Sequence, residues 1–177
     1  MTIEELRKAP HLSASSICDY IDCGLLYKFG RIDKLPMEFK SAALEFGTVI
    51  HLVLAELHRE KMTGEKLSIR EIQESFEIHW HQAAFEKEKI QYPEGKDFET
   101  LLLEGKELLS AYYNKLPDDS FRVVAVEEPF SFMIEECPVP IIGAVDLVEE
   151  DDGMQAGELH QARCPRAHPS ALDGLVE

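Results

Sequence analysis

What this sequence lacks narrows the field before any motif is considered. It has no run of about 18 uncharged apolar residues, and its opening "MTIEELRKAP" carries neither a basic nor an apolar stretch. Neither a membrane span nor a secretory leader is expected, and a soluble, cytoplasmic protein is. Cysteine is sparse and scattered: Cys18, Cys23, Cys137 and Cys164 form no CxxC pair, which removes zinc ribbons and dithiol redox centres. Such thiols are expected to be reduced and buried. Basic residues are scarce too, with 18 Lys and Arg against 34 Asp and Glu and a net charge of −16. The shortfall is uneven: residues 1–90 hold 12 basic and 15 acidic side chains, residues 91–177 hold 6 and 19, and no lysine follows Lys115. A protein drawn to nucleic acid by overall charge would show a basic face, so that class is disfavoured. An enzyme whose carboxylates hold a metal ion and whose basic contacts are local stays open. Only residues 28–40, with Lys28, Arg31, Lys34 and Lys40 against Asp33 and Glu38, are mildly positive.

What is present reads as helices followed by a sheet. In "HLSASSICDYIDCGLLYKFGRI", Ser13, Ser15 or Ser16 caps a short helix whose apolar positions are Ile17, Tyr20, Ile21, Leu25 and Leu26. "SAALEFGTVIHLVLAELHREKMTG" places Leu44, Val49, Leu52, Val53 and Leu57 at helical spacing, predicting one helix from about Ser41 to Met62 with Gly64 as its stop. Ser68 caps the next, with Glu71 at its third position and Ile72, Phe76 and Trp80 as a stripe. "FETLLLEGKELLSAYYNKL" makes a third long helix. Two antiparallel strands follow, about 121–134 and 139–149, rich in Val, Ile and Phe. The length fits one domain or most of a larger one, and the order of elements is that of an α/β or α+β domain.

Two residues stand out chemically. Asp146 interrupts "IIGAVDLV"; such an acid is either a solvent-facing residue of an alternating strand or one held by a partner in a cleft, because an isolated buried carboxylate is costly. His51 lies between Ile50 and Leu52 on an apolar helix, where a histidine is ordinarily a core residue. Gly47, one turn earlier, leaves the same face bare, so a ligand has room to approach that imidazole.

The pieces "LSASSICDYIDCGLLYKFGRI", "FGTVIH", "VEEPFSF" and "GAVDLVEE" occur in an order that resembles the RecB-like exonuclease branch of the PD-(D/E)xK nuclease superfamily, which also includes CRISPR-associated RecB-like exonucleases. The resemblance runs from about Leu12 to Asp152. It implies a restriction-endonuclease-like core in which N-terminal helices precede a β-hairpin of an incomplete central sheet. Residues 1–152 would be the N-terminal part of the nuclease domain and 153–177 an atypical tail outside the family pattern. By the same resemblance His51, of the Gly47-x-x-x-His51 motif, is a metal ligand, and Asp146, of Gly143-x-x-Asp146, is the central metal-binding carboxylate. A further acid and a lysine belong on the next strand. The implied cofactor is Mg²⁺ or Mn²⁺, whose Lewis acidity yields a deprotonated water and neutralises charge in phosphodiester hydrolysis; an imidazole ligand favours Mn²⁺. Tyr20, Tyr27 and Phe29 would stack on bases while Lys28 and Arg31 meet phosphates, the alternative being that these aromatics pack the domain's own core. The implied partners are DNA, as a single strand or a duplex end, and a helicase or another subunit of a nuclease complex. Cys23 matches an iron–sulfur ligand of some relatives, but their C-terminal cysteine cluster has no counterpart, so no such cluster is expected.

The pattern fails at its second half. Glu158 stands near the place of the second catalytic and metal-binding acid, but His160 occupies the lysine position. Arg163 and Arg166 are poor replacements, since a guanidinium stays protonated. "GMQAGELHQARCPRAHPSALDGLVE" has no run of β-branched residues and contains Pro165 and Pro169, so no partner strand is expected there. A lost 3′ gene end, a shortened or split polypeptide, or a diverged domain that kept the fold without the chemistry would each produce this tail; the abrupt change after "EEDDG" favours the first. The expected function is a metal-dependent DNA nuclease of weak or absent activity. Its rivals are a non-catalytic acidic interaction module and a structural helical domain. In the structural domain His51 and Asp146 would lie far apart, whereas ligation of one ion needs them within about 4–6 Å.

Overall fold

The computed structural model describes residues 2–85, 90–116, 122–151 and 154–158, the last five and Asp151 by their backbone alone. Helix α1 is Ile3–Leu6, α2 Ala14–Asp22 and α3 Gly24–Tyr27, followed by a π-helical turn, Lys28–Ile32. Strand β1 (Lys40–Ser41), helices α4 (Ala42–Thr63) and α5 (Ile69–Phe85), strand β2 (Ile90–Gln91) and helix α6 (Phe98–Tyr113) come next. Strands β3 (Arg122–Phe132), β4 (Ile141–Asp151) and β5 (Met154–Glu158) complete the described chain. They form one sheet in the order β3-β4-β5, while β1 and β2 pair in parallel.

The helix boundaries follow from local chemistry. Ser13 opens α2 in a capping box with Ser16, so Ser13 is the cap among the three candidate serines. The Glu71 carboxylate accepts from the Ser68 N–H at 2.7 Å at the start of α5, and Asp97 accepts from the Thr100 N–H at 2.8 Å at the start of α6. Gly64 ends α4 at φ 86°, a left-handed conformation that suits glycine.

The chain divides into two compact units. One comprises the described residues up to Leu35 together with Pro129–Ala144, and the other those of Pro36–Glu128 and Val145–Glu158. In the first, Leu12 bridges in parallel to Ile141: the Leu12 N–H donates to the Pro140 carbonyl and the Ile142 N–H to the Leu12 carbonyl, each at 2.9 Å. Gly143 is needed here, because a Cβ would run into the ring of Phe130.

The second unit holds the main core. Val49, Val53 and Leu57 of α4, Ile72, Phe76 and Trp80 of α5, and Leu101 and Leu109 of α6 are all buried. The Phe46 ring meets those of Phe76 and Trp80 edge-on, each at 5.9 Å, and the Trp80 indole donates to the Phe98 carbonyl at 3.2 Å. Gly105 lets α6 approach α5, since a Cβ there would collide with the Phe76 ring. The apolar stripe expected on α4 is shifted: Leu44 and Leu52 are exposed, while Ile50, Glu45 and His58 are buried. Buried polar groups at core positions hid the true face from a hydrophobic count. Glu45 is held there by Lys40 at 3.1 Å.

Two expectations are corrected. A partner strand does follow the turn after β4: β5 pairs antiparallel with β4, Leu147 opposite Glu158 and Asp151 opposite Met154. Pairing to an available strand edge outweighs the low β-propensity of "MQAGE". The thiols are free but not buried, with Cys23 exposed and Cys18 and Cys137 partly so. Cys164, His160, Arg163, Arg166 and the prolines of the tail lie outside the described residues.

Candidate metal centre

His51 sits at mid-helix on α4, and its side chain keeps about half its surface in water, because Gly47 one turn earlier has no neighbouring atom within reach of a Cβ. Asp146 sits at the centre of β4, two-thirds covered. Their side chains meet: His51 Nδ1 lies 4.0 Å from Asp146 Oδ2. Neither is a core residue, and the two lie close together, not far apart as the purely structural alternative expected. With metal–ligand bonds of about 2.0–2.3 Å, two donors on one ion lie about 3–4.5 Å apart, so this pair fits a single cation. A nitrogen beside a carboxylate oxygen is a donor set suited to a first-row divalent metal.

Two donors are not a whole site. Among the described residues no group of three or more His, Cys, Asp or Glu side chains is poised to hold an ion. Glu158 is placed by its backbone alone, opposite Leu147 and so beside the residue that follows Asp146. Opposed residues of an antiparallel ladder share a face and neighbours along a strand alternate, so this register does not set position 158 across from Asp146.

The other candidate residues belong to the first unit. Tyr20 is 65% exposed and Tyr27 half-buried, their rings edge to face at 5.5 Å, and Phe29 is 41% exposed. None of the three packs a core. Lys28 is ion-paired with Asp33 at 3.4 Å and lies over the Phe29 ring, and Arg31 is paired with Asp19 at 2.7 Å and reaches Ser15. The local excess of positive charge expected over residues 28–40 is thus largely neutralised, the more so because Lys40 pairs with Glu45.

Sequence reasoning passed over two features. Glu127 holds φ 55° inside β3, a left-handed conformation rare for a side-chain-bearing residue. Its signal was the pair of acids ahead of Pro129 in an otherwise apolar run. The second is a basic pocket at the end of α4, hinted at by the lysines on either side of Gly64.

Helices packed on one another ahead of a three-stranded sheet, with an acid at its centre facing a helical histidine, define an α/β protein of the restriction-endonuclease-like class. The family model of the PD-(D/E)XK nuclease superfamily matches residues 11–158, and the chain belongs to that superfamily. Its proteins are nucleases that generally use divalent metal ions, and DNA is the substrate that membership implies. The match extends through β5 to Glu158. Neither the curated proteins nor the solved structures hold a significant match to the chain. Among the described residues no helix is long and apolar enough to cross a membrane.

Proposed function

We propose that this chain is a RecB-like, metal-dependent DNA nuclease domain whose catalytic half is degenerate, so that it holds Mn²⁺ or Mg²⁺ and DNA but hydrolyses DNA weakly or not at all. The observation that carries the reading is the approach of His51 to Asp146 at 4.0 Å, between two residues far apart in sequence. His51 Nδ1 and Asp146 Oδ2 would hold the ion; Glu158, which the register sets opposite Leu147, would join them as a further oxygen donor after a one-residue shift of β5 along β4. The ion, when bound, supplies an acidified water and neutralises charge developing on the phosphate. Tyr20 and Tyr27 offer ring faces to unstacked bases, and Lys28 and Arg31 exchange their carboxylate partners for phosphates. His160 in place of the motif lysine leaves no amine to position or activate the attacking water, which is why slow turnover is expected. A helicase or a second nuclease subunit would deliver the strand.

Calorimetry with Mn²⁺ tests the metal. We expect one site in the unaltered protein, lost in the His51→Ala/Asp146→Ala double variant. Binding that survives both substitutions sinks the metal reading and favours the non-catalytic acidic module. Rapid Mn²⁺-dependent degradation of single-stranded DNA, abolished by Asp146→Ala, would instead show that the second half is competent.

A further inference from the structure

The last turn of α4 and the start of β3 enclose an open pocket of about 320 Å³, lined by Lys61, Gly64, Glu65, Lys66, Arg122 and neighbouring apolar atoms. That volume is at the lower end of small-ligand sites, about 300–1,000 Å³. Three cations, Lys61, Lys66 and Arg122, converge here with the acids Glu65 and, 3.8 Å from Arg122, Glu150, in a chain that carries only 18 basic residues and a net charge of −16. The left-handed turn at Gly64 produces this clustering: it folds the chain back at the helix end, so that Lys66 comes to the same cavity as Lys61. Arg122 is loosely held, 82% exposed and 3.8 Å from Glu150, and its planar fork suits a phosphate.

The pocket lies in line with the metal centre. Lys61 is ten residues beyond His51 on α4, about 15 Å by helical rise. Glu150, which tethers Arg122, is four residues beyond Asp146 on β4, about 13 Å by strand rise. The two elements that meet at His51 and Asp146 thus run side by side to the basic pocket. We propose that this pocket is a second phosphate subsite, which grips the backbone of the nucleic-acid strand about four nucleotides from the metal centre, at about 3.4 Å per stacked nucleotide. The proposal rests on the nuclease reading for its substrate, yet its chemistry needs no metal. Sequence-independent grip at a distance suits a chain whose overall charge repels DNA.

The test is binding of a labelled single-stranded 20-mer to the full chain in EDTA, over a series of salt concentrations. Lys61→Gln/Lys66→Gln/Arg122→Gln is compared with Lys8→Gln/Arg70→Gln/Lys115→Gln, an equal charge change elsewhere on the surface. We expect the pocket variant to lose on the order of tenfold in affinity, and its slope of log K against log salt to shrink by about 2, three contacts at about 0.7 each. The control variant should change neither by more than a fraction of that. Circular dichroism checks that both remain folded. Equal losses in the two variants overturn the subsite, and so does a failure of the unaltered protein to bind the 20-mer. A pocket that takes inorganic phosphate, with no difference between the variants on DNA, identifies a free-anion site and also overturns it. The metal reading is tested separately, by the Mn²⁺ titration of the His51→Ala/Asp146→Ala protein, so its failure shows there and not in this EDTA assay.

Discussion

Helix α4 carries two histidines seven residues apart, and they have opposite fates. Seven residues return an α-helix to within about 20° of the same face, so His51 and His58 start from nearly the same direction. His51 is half in water and faces a carboxylate. His58 is only 3% exposed, sits edge-on to the Tyr112 ring, and shares a 2.7 Å hydrogen bond between Nε2 and the Tyr112 hydroxyl. Its Nδ1 is buried without a hydrogen-bond partner among the described residues. The difference is what lies across from each: Tyr112 of α6 covers His58, whereas His51 faces Asp146 of β4. Along one face of α4, one histidine is kept from water and the other is left open to it.

Acid should break the covered half first. Burial, with a smaller contribution from the nearby Lys61, pushes the His58 pKa down to about 4 from its ordinary 6.5. The folded protein keeps this imidazole neutral to about pH 4, while the unfolded chain takes up a proton below pH 6.5. Stability is therefore intact above pH 6.5 and falls as the pH drops, by up to about 1.4 kcal/mol per pH unit, some ~3 kcal/mol by pH 4. Urea midpoints measured between pH 7 and 4.5 should show that fall, and His58→Phe should remove much of the slope in this range. An unchanged slope in the variant would mean that His58 is not the group titrating.

Smaller effects separate the halves more finely. Tyr112→Phe strands the second nitrogen of His58 and should cost about 1–3 kcal/mol in chemical denaturation, with Mn²⁺ affinity unaltered. Two glycines make a matched pair. Gly105→Ala forces a methyl into the Phe76 ring and should destabilise by about 1–3 kcal/mol, whereas Gly47→Ala meets open space and should stabilise α4 by about 0.5–1 kcal/mol, each read as a shift in thermal midpoint. His51→Ala should move stability by less than about 0.5 kcal/mol, because the site it leaves is open to solvent. A larger loss would show that the first half of α4 is structural after all.

Much of the fold was legible in the sequence because the signals were local. Ser13, Ser68 and Asp97 cap helices by bonding to backbone a few residues away, and Gly64 ends one by adopting a conformation that suits glycine. The Val and Ile runs around 123–126 and 141–148 became β3 and β4 for the same reason. The motif order from Gly47-x-x-x-His51 to Gly143-x-x-Asp146 pointed to the superfamily before any distance was known. What local signals missed is instructive. "MQAGE" has little β-propensity, yet it pairs along β4 because an unfilled strand edge offers backbone partners to any residue type. Leu44 and Leu52 fit the apolar period of α4 and still face water, because Glu45 and His58 take buried places that the period assigns to hydrophobes.

The sequence by itself determined where helices begin and end, which residues can form strands, and that one helix carries two histidines and one strand an acid. Only the tertiary structure decided which histidine is buried and which faces a carboxylate. That choice depends on what a distant segment brings to the same face: the Tyr112 hydroxyl for one, the Asp146 carboxylate for the other. A side chain's pKa, hydration and capacity to bind a metal are properties of its surroundings, and those surroundings come from parts of the chain far from it in sequence.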